Sequence, residues 1–457
     1  MIVNHTLRIA VLVGLSCLSA SAAAQSVAQM DSAPVTAAPS AGALGAAEFA
    51  ASAKISAPRV LSLAPLTRAD VSTLQAQRVQ QEKDGLPLQI GFNRDVQRGR
   101  VDLNTLAWQP LADGGHAARF EMSSEGAVAL RAALSLSGAG AKSARLHFGG
   151  NDGRVFESRG GEFAGAAPGW SPVVMGDTLV IELVLAKGVN PKALRLNVPR
   201  LSHLDASPIE GEKGLKARIG ASGSCNKDIV CRVNPPAGFV STAKSVAHMI
   251  FTNPQGTFIC SGTLLNNNHS PKKQLFWTAA HCFTQQSVAD TLQTYWLFDA
   301  TTCGGSTANP AYSVLTGGAF VRHSNTTRDT SLLELKTAPP AGAVYAGWSN
   351  TLIGSTNTAV EGIHHPSGDL KKYSLGTVTG LSASALGSSP LYRVVWNLGT
   401  TEGGSSGSGL FTVTSSGGYQ LRGGLLGGGA SCSNPKSPDY YSRFADIYPS
   451  VASYFNP

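Results

Sequence analysis

The 457-residue sequence predicts an all-β protein: two six-stranded antiparallel barrels in the second half, preceded by a small sandwich-like β domain. Three observations point there. Charged residues are only 14% while glycines number 51 and prolines 24, a composition that suits turns and strands and is poor for helix bundles. From residue 86 onward, short apolar segments alternate with clusters of Gly, Asn, Asp and Ser. Cysteines are distributed unevenly, with Cys225, Cys231, Cys260, Cys282, Cys303 and Cys432 all beyond residue 220.

Residues 1–24 read as a secretory signal. Arg8 supplies the positive end, residues 9–18 the apolar stretch, and Ala22-Ala23-Ala24 the small-residue cleavage site. The apolar run is too short for a stop-transfer helix, and Gly14-Leu15-Ser16 before Cys17 fits a lipoprotein signal poorly, so export is expected to release a soluble protein. Residues 25–65, rich in Ala, Ser, Pro and Val, are expected to form a flexible lead-in. Residues 68–84 predict a short polar helix.

Strands are expected over 86–92, 117–122, 128–136, 145–148, 178–185 and 194–198, making residues 66–205 a cysteine-free antiparallel β domain without a catalytic constellation. Residues 206–218 form a polar joint that displays Lys213, Lys216 and Arg218, an accessible place for proteolysis. Residues 219–457 suit the two barrels, with strands over 245–252, 274–278, 295–299, 331–336, 392–396, 409–413 and 420–426 and a last helix over 447–455.

An even number of cysteines in an exported chain argues for three disulfides. Zinc is the competing reading. It is disfavoured because only Cys225 and Cys231 lie close together and no second pair follows at ligand spacing. The net charge of +8 is spread along the chain with no basic run, which argues against a nucleic-acid partner.

Three local contexts carry chemistry: Thr278-Ala279-Ala280-His281-Cys282, Asp329-Thr330-Ser331-Leu332, and Gly404-Ser405-Ser406-Gly407-Ser408-Gly409. A hydroxyl is a weak nucleophile at neutral pH and needs a base, and the base needs a group that fixes its tautomer. His281, Asp329 and one of Ser405, Ser406 or Ser408 can supply those roles. The adjacent His364 and His365 invite a metal reading, but neighbouring strand residues point to opposite faces, which favours structural roles.

The order His, Asp, Ser in these contexts resembles the chymotrypsin-like serine peptidases. Within them the stretch from about residue 220 to 457 resembles the bacterial lysyl endopeptidases. The resembling segments are Gly223-Ser224-Cys225-Asn226, Leu332-Leu333-Glu334-Leu335, Ala346-Gly347-Trp348, Ile363-His364-His365-Pro366, Thr401-Glu402-Gly403-Gly404-Ser405-Ser406-Gly407-Ser408 and Ser431-Cys432-Ser433. The resemblance implies two barrels with the site between them, a secreted endopeptidase acting on protein or peptide substrates, and synthesis as a zymogen.

It maps the nucleophile to Ser406, with Ser405 where many relatives carry Asp, and assigns the backbone N–H groups of Gly404 and Ser406 to an oxyanion hole. It pairs Cys260 with Cys282, Cys225 with Cys432 and Cys231 with Cys303. It also implies that Asp439 receives the basic side chain of the substrate; the competing reading, less favoured, is a turn residue beside Pro438. No cofactor, metal or membrane attachment is implied, and a monomer is expected.

The sequence departs from the lysyl pattern at two places near that pocket. Leu426, beside Gly427, stands where the branch has a His, and residues 382–390 contain no Trp. Cleavage after Arg as well as Lys is therefore expected. Arg218 is the favoured processing site, since the family-like start lies just beyond it. The competing readings are an inactive peptidase-fold binding protein, a peptidase with a permanent N-terminal accessory domain, and an independent adhesion or carbohydrate-binding module over 66–205.

Overall fold

The computed structural model describes residues 28–36, 43–44, 47–51, 59–83, 86–205 and 222–456. The expected signal peptide and the linker with Arg218 lie outside the described residues. No helix among the described residues is long and apolar enough to cross a membrane.

Helix α1 (Arg68–Lys83) covers the polar helix expected there. It precedes the strands β1 (Leu88–Asp95), β2 (His116–Ser124), β3 (Ala129–Gly138), β4 (Arg145–Gly149), β5 (Val155–Arg159), β6 (Thr178–Leu185) and β7 (Leu194–Leu204). One sheet runs β5-β4-β6-β2 and the other has β7 between β3 and β1. Ala118, Phe120 and Met122 of β2 alternate inward, as a strand with one buried face requires, and meet Leu146, Phe148, Ile181 and Leu183 in the core.

The first barrel contains β8 (Val246–Asn253), β9 (Gly256–Leu264), β10 (Leu275–Thr278), β11 (Gln293–Trp296), β12 (Ser313–Leu315), β13 (Ala319–Asn325) and β14 (Thr330–Leu335), in the spatial order β12-β11-β8-β9-β10-β14-β13. The second contains β15 (Ala359–His364), β16 (Lys372–Ala385), β17 (Ser388–Leu398), β18 (Gly409–Val413), β19 (Tyr419–Gly428) and β20 (Asp439–Ser442). Its order is β19-β18-β15-β16-β17-β20, and β20 pairs back onto β19 to close it. Strand β9 is not among the strands named from sequence; all of Gly256–Leu264 is buried, between β8 on one side and β10 and β1 on the other.

Helix α2 (Phe444–Phe455) seals the junction of the barrels. Phe444, Ile447, Tyr448, Val451 and Phe455 recur at helical spacing and are buried, with Phe444 set against Trp277 and Trp348. Each such fully buried side chain contributes about 1.5–3 kcal/mol. The disulfides are Cys225–Cys432, Cys231–Cys303 and Cys260–Cys282, the pairing that the resemblance implied.

Two features depart from the sequence reading. The lead-in is not free where it is described. Gln29 and Met30 pair with Ser349 and Trp348, Ala33 and Pro34 with Tyr345 and Val344, and Arg59–Leu63 lies parallel to β2. Composition cannot reveal an open strand edge elsewhere in the chain, and short segments add to such edges through backbone hydrogen bonds alone.

The β domain is also not separate from the barrels. β1 pairs with β9, in the register Phe258↔Gln89 and Ile259↔Leu88, so one sheet runs from the sandwich into the first barrel. Ile250, Ile259, Tyr295 and Phe298 join the core of the β domain. Arg131 crosses this junction, donating to the carbonyls of Ser171 and Thr291 and to Thr252 Oγ1. It meets no carboxylate among the described residues, and burial lowers its pKa to about 9.

Candidate active site

His281 follows β10 in the loop closed by the Cys260–Cys282 disulfide. Asp329 stands immediately before β14 with φ +50°, a left-handed conformation that Asp tolerates better than most residues. Its two oxygens take two bonds from one residue: Oδ2 lies 2.9 Å from His281 Nδ1, and Oδ1 accepts the His281 backbone N–H at 2.8 Å. The second bond fixes the loop and the first fixes the ring. Asp329 is buried, and the His281 side chain keeps 13% exposure. Among the described residues His281 Nε2 has no hydrogen-bond partner, so the Ser406 hydroxyl is not joined to it here. Such contacts are often long before substrate binds.

Ser406 lies in the turn between β17 and β18. The turn is clamped onto β9 by two bonds, Ser261 N–H to the Ser406 carbonyl at 2.8 Å and Ser261 Oγ to the Gly404 carbonyl at 2.9 Å, and it is closed on itself by Ser405 N–H to the Glu402 carbonyl at 2.9 Å. Gly404 and Gly407 have φ of +92° and +80°, whereas Gly403 does not use a positive φ. A Cβ on Gly407 would stand 2.2 Å from Thr278 Oγ1 and 2.7 Å from the Ala279 nitrogen. The serine turn therefore lies directly against the histidine loop. The N–H groups of Gly404 and Ser406 form no hydrogen bond among the described residues.

Asp439 opens β20, buried at 1% exposure. Its Oδ2 accepts from Trp396 Nε1 at 2.7 Å and Thr401 Oγ1 at 2.6 Å, and Oδ1 lies beside Gly428. Burial raises its pKa, opposed by the bonds from Thr401, Trp396 and Ala430. Leu426 is buried, and open space lies where a side chain on Gly427 would stand. A turn role alone does not explain a carboxylate sunk this deeply between a Trp and a Thr.

Several residues at the site were not singled out by sequence. Trp396 is one: residues 382–390 lack the tryptophan of the lysyl pattern, and Trp396, further along β17, bonds to Asp439 directly. Thr401 and Glu402 are others. Glu402 accepts from Gly223 N–H, Asn226 Nδ2 and Ser367 Oγ at 2.7–2.9 Å, tying the serine turn to the start of the second half beside Cys432. Their only advance signal was membership of the Thr401–Ser408 run. His364 and His365 do serve different neighbours, Ser405 and Ser374 for the first and the Asp369 carbonyl for the second. Cys260, His281 and Cys282 approach one another, but the two sulfurs are joined in a disulfide and offer no thiolate to a metal.

Two β-barrels that bring a paired His and Asp against a glycine-rich serine turn define a serine endopeptidase. Comparison with known proteins narrows the class. A family model described as the lysyl endopeptidase C-terminal domain matches residues 219–442, and one described as the lysyl endopeptidase N-terminal domain matches residues 62–205. A lysyl endopeptidase of Pseudomonas aeruginosa is 46% identical over 385 residues, covering 82% of this chain and 83% of that protein. The chain belongs to the lysyl endopeptidase family.

Among solved structures, the Rv3671c protease from M. tuberculosis in its active form is similar with a TM-score of 0.32, at 16% identity over 48% of this chain and 83% of that one. The HtrA-type protease AlgW is similar at 0.32, with 13% identity over 46% of this chain and 61% of that one.

Proposed function

We propose that this chain is an exported serine endopeptidase that cuts peptide bonds after lysine, and also after arginine, and that it is made as a zymogen. The observation that carries the catalytic reading is the double grip of Asp329 on His281 beside the clamped Ser406 turn. In acylation the Ser406 hydroxyl attacks the substrate carbonyl carbon and gives its proton to His281 Nε2. The new Oγ–C bond makes a tetrahedral oxyanion that the free N–H groups of Gly404 and Ser406 receive. His281 passes the proton to the leaving amine as the C–N bond breaks. Water then repeats the sequence on the acyl-enzyme and restores the Ser406 hydroxyl. Asp329 holds Nδ1–H, which leaves Nε2 as the acceptor.

Asp439 supports a preference for a cation, because a buried carboxylate pairs strongly with lysine or arginine. The lysyl endopeptidase name of the 46% identical relative supports lysine in particular, and Leu426 in place of a histidine supports acceptance of arginine. Three features support the zymogen reading. Leu88 of the β domain lies against Gly403, 3.4 Å from where its Cβ would stand. Strand β1 covers the edge of β9 that leads to the site. The three disulfides all lie beyond Arg218, so the cover can leave after cleavage there without breaking one.

The test is Ser406→Ala in an exporting host. It is expected to lose hydrolysis of lysyl esters and organophosphate labelling, while Ser405→Ala and Ser408→Ala keep measurable activity. It is also expected to accumulate as the 25–457 precursor until active enzyme is added. Near-wild-type turnover by Ser406→Ala removes the site assignment, and normal maturation of the pure inactive protein removes self-processing.

A further inference from the structure

The residue just before Ser406 is Ser405, whose uncharged side chain enters a buried run of hydrogen bonds in addition to the backbone clamp on the turn. Ser405 Oγ lies 2.8 Å from His364 Nδ1 and accepts the Glu402 N–H at 3.2 Å. On the far side of the ring, His364 Nε2 lies 3.1 Å from Ser374 Oγ, which donates its single proton to the Thr400 carbonyl at 2.8 Å. His364, Ser405, Ser374 and Thr400 are all fully buried.

The direction of every bond follows from the two ends. The Ser374 proton is spent on Thr400, so Ser374 Oγ accepts and His364 Nε2 carries the hydrogen. Nδ1 is then an acceptor and takes the Ser405 hydroxyl proton, and Ser405 Oγ in turn receives the Glu402 N–H. One neutral tautomer satisfies each group in the chain. A protonated ring would place a donor at Nδ1 and leave the Ser405 hydroxyl without its acceptor.

We infer that His364 is a positioning residue for the oxyanion turn: acting through Ser405, it holds the two peptides that present the Gly404 and Ser406 N–H groups. The peptides on both sides of Ser405 are also tied, its N–H to Glu402 and its carbonyl to the Ser408 N–H, so anchoring its side chain removes the last freedom of the turn. Burial, aided by the charge of Lys372, lowers the His364 pKa to about 3, which keeps the ring in the required neutral form at working pH. The inference rests on the serine peptidase reading above, and the test separates the two.

Mature wild type, His364→Leu, His364→Asn, Ser405→Ala and the His364→Leu/Ser405→Ala pair are compared on a lysyl ester, with active sites counted by an organophosphate so that only folded enzyme enters kcat. His364→Leu and Ser405→Ala are each expected to lower kcat about 10–10²-fold, short of losing a whole oxyanion donor. KM and the competitive affinity of butylamine for the pocket are expected to stay at wild-type values. A lysyl aldehyde, which forms the tetrahedral adduct, is expected to lose affinity in step with kcat. The double variant is expected to match the single ones, because both remove one link. His364→Asn retains an acceptor oxygen towards Ser405 and is expected to recover most of kcat.

Additive losses, a fall confined to KM, or wild-type kcat in both Ser405→Ala and His364→Leu overturns the inference. If His364→Leu does not fold, Ser405→Ala and His364→Asn decide by the same readouts. Absence of organophosphate labelling in the wild type would instead overturn the peptidase reading itself.

Discussion

Asp439→Asn exchanges one oxygen for an amide NH2 and leaves the volume of the pocket floor unchanged. Asp439 Oδ2 is already engaged by two donors, Trp396 Nε1 at 2.7 Å and Thr401 Oγ1 at 2.6 Å. The asparagine must turn its oxygen to them, which sends its NH2 to the Oδ1 position beside Gly428, where it also displaces the long bond from the Ala430 N–H. An incoming ammonium then meets a donor where it met an anion. Removing one partner of a buried ion pair costs about 3–5 kcal/mol, and about 1.4 kcal/mol is tenfold in rate, so kcat/KM on a lysyl ester is expected to fall roughly 10²–10⁴-fold.

The assay compares esters of lysine and of norleucine, its uncharged near-isostere, for wild type and variant. The loss should appear in the lysine substrate and spare norleucine. A lysine-to-norleucine ratio that stays at the wild-type value refutes the reasoning. A stability change of opposite sense accompanies the loss. Burial holds the Asp439 carboxyl above its ordinary pKa of 3.8. The folded free enzyme therefore binds this proton more tightly than the unfolded chain does. The ionised form costs stability above the folded pKa, and the cost disappears as pH falls through it. Free Asp439→Asn is expected to melt above wild type at neutral pH, with the difference closing below pH 3.8.

Further outcomes follow from the same geometry. Asp329→Asn has one acceptor oxygen for the two His281 donors, so the ring loses its fixed tautomer, and kcat is expected to fall by roughly 10³–10⁴ with the fold intact by circular dichroism. Gly407→Ala forces a Cβ to 2.2 Å from Thr278 Oγ1 at a φ of +80°. It should cost about 1–3 kcal/mol by thermal melting and lower kcat more than it raises KM.

Digestion of a peptide library is expected to show cuts after both Lys and Arg, and cuts at lysine alone would remove the Leu426 argument while leaving Asp439 in place. In the precursor, burial lowers the pKa of His147, but its bonds to Glu182 and Glu157 outweigh that and raise it. Its contribution to stability is present below 6.5 and is lost as pH rises through the folded value, so calorimetry of the Ser406→Ala precursor should show a melting loss above that pH that His147→Phe abolishes.

The sequence by itself determined the classes of element and the chemistry on offer. Short segments bounded by turn residues located β2 and β6, the end of the chain reads as a helix, and the contexts of His281, Asp329 and Ser406 marked the reacting groups, because those signals are local. Resemblance to a family, more than spacing, picked out the disulfides and Asp439. Tertiary structure alone decided what each group meets. Trp396 and Thr401 reach Asp439 from another strand and a loop, and His364 reaches Ser405 across 41 residues.

The lead-in and the β domain could not be read as parts of one assembly with the barrels, because backbone pairing at a strand edge leaves no mark on composition. The role of β9 was hidden for a related reason. It pairs with β8 across a short turn, but its other neighbours, β1 and the Ser406 turn, lie more than a hundred residues away in the chain. A local segment can show that it is apolar enough to be a buried strand. Which distant edge it meets is fixed only when the rest of the chain has folded around it.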